Sequence, residues 1–88
     1  MNAEPLVGAI ISAMMLLEES DSDQVDPDTA VRGLEHMAAE LLRLTGADRS
    51  EFLAVLEHLA EATEDAHAAR FIRALPFSIG MTEVPPAG

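Results

Sequence analysis

The strongest pattern in the chain is an apolar run at residues 5–17, PLVGAIISAMMLL, broken only by Gly8 and Ser12. At helical spacing Leu6, Ile10, Met14 and Leu17 form one stripe, and Val7, Ile11 and Met15 form the next. The spacing predicts a helix over 4–18 that is apolar nearly all round, a kind normally covered on most sides. A chain this short offers few elements to cover it. The expectation is therefore a homodimer, with Leu6, Ile10, Ile11, Met14 and Met15 at the interface.

A polar stretch, EESDSDQVDPD, follows at 18–28 and reads as a loop. Asp26 fits the cap of a helix that starts at Pro27, where a missing N–H costs nothing. Asp28 falls in the first turn, where the helix dipole favours an anion. From 27 to 45 the pattern is amphipathic, with Val31, Leu34, Met37, Ala38, Leu41 and Leu44 on the apolar face. Gly46 suits the residue just past the helix end. A third helix is predicted over 48–66, opened by Asp48 and Glu51 as a capping box. Phe52, Leu56, Leu59, Ala60 and Thr63 give its buried face.

Continuing that helix would bring Arg70 onto the buried face and turn Ile72 away from it. A break near 65–69 is therefore expected, followed by a short helix that buries Phe71, Ile72 and Leu75 and stops at Pro76. Beyond it Phe77, Ile79 and Met81 alternate with Ser78 and Gly80, a period of two. This pattern suggests an extended arm docked on the core, with Phe77 and Ile79 joining the dimer interface. Residues 83–88, EVPPAG, are expected to be disordered. The predicted fold is all-α: a bundle of three main helices, a short fourth and an extended C-terminal arm, in one domain over 1–82.

Composition sharpens this picture. The 88 residues carry 16 Asp and Glu against 5 Lys and Arg, a formal charge of −11, yet 49% are hydrophobic. High charge implies disorder only when hydrophobicity is low, so the chain reads as globular and acidic. Direct nucleic-acid binding is disfavoured, because its affinity comes largely from cations placed on phosphates. Adhesion to anionic membranes is disfavoured for the same reason. The absence of Cys removes disulfides and thiolate chemistry. The run at 5–17 lacks the basic flank of a signal peptide and is too short to span a bilayer, so a cytoplasmic protein is expected.

No catalytic constellation emerges. None of the serines sits in a nucleophile elbow, and there is no phosphate-binding glycine loop or zinc-protease motif. The loop at 18–28 fails as a calcium site. Counted from Asp21, Val25 takes a ligand position, Asp26 replaces the required Gly, and Arg32 stands where a bidentate Glu belongs. What remains is a carboxylate surface: Asp21, Asp23, Asp26 and Asp28 in the loop, and Glu57, Glu61, Glu64 and Asp65 along the third helix. The leading expectation is a non-catalytic protein–protein interaction module that needs no cofactor. Its acidic surface would meet a basic partner, in the manner of an inhibitor or immunity protein. One alternative is a metal-binding bundle that uses His58, Glu61, Glu64 and His67 across a dimer. The wheel disfavours it, since Glu61 and Glu64 point outward and His67 points inward. The other alternative is a purely structural oligomer subunit.

Overall fold

The computed structural model describes residues 1–85. It contains four helices: α1 (Glu4–Glu19), α2 (Pro27–Leu41), α3 (Gly46–Ala62) and α4 (Ala66–Ser78). Among the described residues there is no strand, and the protein is a small all-α bundle.

Helix α1 packs on α2 and α3, and α4 packs on α3. The core is drawn mainly from α1, α3 and α4: Val7, Ile11 and Met14; Phe52, Leu56 and Ala60; Ile72 and Leu75. Leu41 of α2 and Met81 complete it. Ile11 and Met14 thus belong to this chain's own interior, at 5% and 2% exposure. They are not available to a second copy, which corrects their assignment to a dimer interface. The fold supplies the cover that the sequence pattern left unassigned, because α3 and the start of α4 both reach α1.

Helix α2 starts as expected. The Asp26 carboxylate accepts from the Thr29 N–H at 3.1 Å, and Pro27 occupies the first helical position. It ends at Leu41, earlier than periodicity suggests. The side chain of Arg49 explains the shortening: its guanidinium donates to the carbonyls of Leu44 (2.8 Å) and Leu42 (3.0 Å). These carbonyls are held in a turn rather than extended into a helix. Gly46 takes the positive φ of a helix-terminating residue, +54°, and at once begins α3. Thr45 is the cap residue, so Asp48 lies inside the first turn and the expected capping box does not form. Val31 is 53% exposed because nothing packs on that side of α2.

The predicted break falls at Thr63–Asp65. Asp65 caps α4 by accepting from His67 N–H (2.9 Å) and Ala68 N–H (3.3 Å). Arg70 is exposed and Ile72 is buried, which is what the break achieves.

Pro76 does not stop α4, which continues to Ser78. Proline interrupts a helix by losing one N–H and crowding the turn before it. Here it stands two residues before the end, so only the last turn has to accommodate it. The period-two reading of Phe77–Met81 is corrected by the turn that follows. Gly80, at φ +85°, donates to the Phe77 carbonyl (3.1 Å), and Met81 donates to the Pro76 carbonyl (2.8 Å). That pair of bonds is a Schellman motif. It reverses the chain and drops Met81 into the core at 8% exposure. Of the tail expected to be disordered, Glu83–Pro85 are exposed, and 86–88 lie outside the described residues.

Candidate functional site: an acidic corner

The loop after α1 is a compact turn in which Gln24 and Val25 donate to the Asp21 carbonyl at 2.9 and 3.1 Å. It hangs from the C-terminus of α1, where Glu19 contacts the imidazole Nε2 of His67 in the first turn of α4. The link between α3 and α4, which carries Glu64 and Asp65, lies immediately before His67. One contact between residues 48 positions apart therefore joins the acidic loop to the acidic end of α3.

The eight carboxylates singled out from the sequence are all exposed, but they do not share one role. Asp26 and Asp65 are helix caps. Glu57 faces away to Arg73, accepting from its Nη2 at 3.2 Å and its Nε at 3.4 Å. Both side chains are about half exposed, so this pair contributes on the order of 0–1 kcal/mol. Asp21, Asp23, Asp28, Glu61 and Glu64 have no ion-pair partner among the described residues. Glu18, next to the joining contact and part of the acidic run at 18–28, is likewise unpaired among the described residues.

The arginines are largely committed elsewhere. Arg43 pairs with Glu40, Arg73 with Glu57, and Arg49 with backbone carbonyls. Arg32 and Arg70 are exposed.

The two histidines named for a metal are held apart. His58 Nε2 lies 3.0 Å from Glu4 at the start of α1, whereas His67 meets Glu19 at its end. Those carboxylates are about 22 Å apart along the helix axis at 1.5 Å per residue. One ion would need both ring nitrogens within about 2.1 Å. A single chain therefore cannot bring His58 and His67 to one metal. Among the described residues, no group of three His, Asp or Glu gathers for one.

The surface also carries several depressions, among them two with largely apolar linings. A groove of about 410 Å³ lies between α1, α2 and α3, where Leu6, Ile10, Leu44 and Val55 line it beneath Asp48 and Glu51. A cleft of about 360 Å³ lies between α1, α2 and α4. Of the other proposed interface residues, Leu6 and Phe77 are 53% and 44% exposed, while Ile10, Met15 and Ile79 are half-buried. No polar or charged side chain is buried among the described residues. No helix among them is long and apolar enough to cross a membrane. Compared with protein-family models, curated proteins and solved structures, the chain finds no match in any of the three.

Proposed function

We propose that this protein is a non-catalytic interaction module whose acidic corner binds a basic protein surface. The observation that carries the reading is the Glu19–His67 contact. It ties the end of α1, which leads into Asp21 and Asp23, to the first turn of α4, which follows Glu61 and Glu64 in the chain, and supports a reading in which the two acidic segments act together. A surface of this kind speeds association with a cationic partner and selects against anionic ones. The sharpest form of the proposal is an inhibitor or immunity-type protein that covers a basic enzyme surface by offering carboxylates where phosphates would bind. A non-catalytic role is supported by the absence of any buried charged side chain among the described residues, since catalytic acids and bases are typically desolvated to tune them.

The test is capture of partners from the source cell on immobilised protein, at low and at high salt. A basic protein retained at low salt and released at high salt supports the proposal. It is abandoned if nothing is retained at low salt, or if the combined substitution Asp21→Asn, Asp23→Asn, Glu61→Gln and Glu64→Gln leaves capture unchanged.

A homodimer is a second reading, favoured by the exposure of Leu6 beside half-buried Ile10, Leu44 and Val55. Light scattering across a concentration series tests it. A dimer that Leu6→Glu converts to monomer supports it, and a 9.4 kDa particle at every concentration removes it.

A further inference from the structure

The cleft between α1, α2 and α4 follows from the packing order. Helix α2 packs chiefly on α1 and α4 chiefly on α3, so they stand as two walls on either side of the C-terminal half of α1. Met14, the most buried side chain of the core, forms the floor. Leu34 and Ala38 line the wall from α2, and Phe71, Ala74 and Leu75 line the wall from α4. The mouth carries two carboxylates, Glu18 and Glu35, neither of which is in an ion pair among the described residues. Glu18 adjoins Glu19, so the charged rim of the cleft is continuous with the acidic corner.

A trough between two helices, apolar at its base and acidic at its mouth, matches one kind of occupant. We infer that the cleft receives an amphipathic helix of the basic partner, with an apolar side chain seated over Met14 and Arg or Lys beside it paired with Glu18 and Glu35. Helices recognised in this way present anchors at i, i+3/i+4 and i+7. Charge complementarity selects this occupant over a second copy of the chain. A second copy carries the same formal charge of −11 and would bring its own carboxylates to the rim. The inference rests on the basic-partner reading and adds the apolar half of the recognition to it.

Two synthetic peptides of identical composition test it. One places leucines on a single helical face with arginines elsewhere, and the other scrambles that order. Titration calorimetry and amide chemical-shift mapping at low salt are the readouts. The patterned peptide is expected to bind at least about 10-fold more tightly than the scrambled one, with shifts centred on Ala38, Phe71 and Ala74. Ala74→Trp, which fills the cleft from a half-buried wall position, should abolish that advantage and leave weak binding of the scrambled peptide intact. Ala38→Trp provides a second blocking variant should Ala74→Trp fail to fold.

Equal affinity for the two peptides overturns the cleft and leaves the acidic-surface reading standing. Binding of neither peptide overturns both. Shifts centred on Leu6 and Val55 would place the occupant in the other groove and also overturn the inference. So would a homodimer that Ala74→Trp dissociates, since a second copy would then be the occupant.

Discussion

Gly8 and Gly33 both lie inside helices, in α1 and α2 respectively, and substitution by Ala separates two effects that are usually mixed. Inside a helix, Gly→Ala favours folding by roughly 0.8–1 kcal/mol through backbone entropy alone. A Cβ placed at Gly8 finds no neighbouring atom within 4 Å, so Gly8→Ala should gain the whole increment. A Cβ at Gly33 lies 3.0 Å from Leu17 Cδ1, closer than a relaxed carbon contact. Leu17 is half-buried and must give way by a few tenths of an ångström, which offsets the gain by about 0.5–1.5 kcal/mol if the shift strains its side-chain torsions. Gly33→Ala should therefore be close to neutral. The two variants should differ by about 1 kcal/mol, or roughly 4–8 °C in melting temperature for a domain of this size. Urea and thermal unfolding followed by circular dichroism measure the difference, and in a Leu17→Ala background, which carries its own truncation cost, Gly33→Ala should show the whole entropic gain. The reasoning is refuted if Gly33→Ala stabilises as much as Gly8→Ala. It is also refuted if Gly8→Ala destabilises, which would mean that a surface covers Gly8 in solution.

Three further outcomes test the joints of the fold. Gly80→Ala forces a Cβ into the left-handed region and should cost about 1 kcal/mol, read as a lower urea midpoint. Arg49→Ala removes both donors that hold the turn between α2 and α3 and should destabilise by about 1.5–3 kcal/mol, while Arg49→Lys recovers only part of the loss. Asp65→Ala removes the cap of α4 and should cost about 1 kcal/mol by the same unfolding assay. Amide exchange in that variant should rise first at His67 and Ala68, whose N–H groups the carboxylate satisfies.

Features fixed by neighbouring residues were the most legible in the sequence. Asp26-Pro27 opened α2 as read, and the phase conflict between Arg70 and Ile72 located the break before α4. Features set by contacts across the fold were not legible. The end of α2 depends on a guanidinium reaching back five and seven residues to carbonyls, which no hydrophobic period records. Alternation from Phe77 to Met81 has the same appearance whether the chain is extended or turns through a glycine, and only Gly80 in its positive-φ state separates the two. The apolar breadth of α1 is legible in its sequence, but that Ile11 and Met14 are covered within the same chain is not, because nothing local announces α3 above them. The candidate site shows the same division. Its carboxylates are plain in the sequence, whereas the Glu19–His67 contact and the cleft lined by α1, α2 and α4 arise only from the folded arrangement of the helices.

The packing of α1 on α3 also bears on the order of events during synthesis. Helix α1 leaves the ribosome before the helices that cover it, and its cover is complete only when His67, in the first turn of α4, has been added. At 5–20 residues per second, that interval from Glu19 is roughly two to ten seconds. Through most of it an apolar helix must persist with α2 as its only complete companion, covering one side. Glu4, Glu18 and Glu19 bracket it for that period, acting as gatekeepers against aggregation of the nascent chain before two of them meet their histidines.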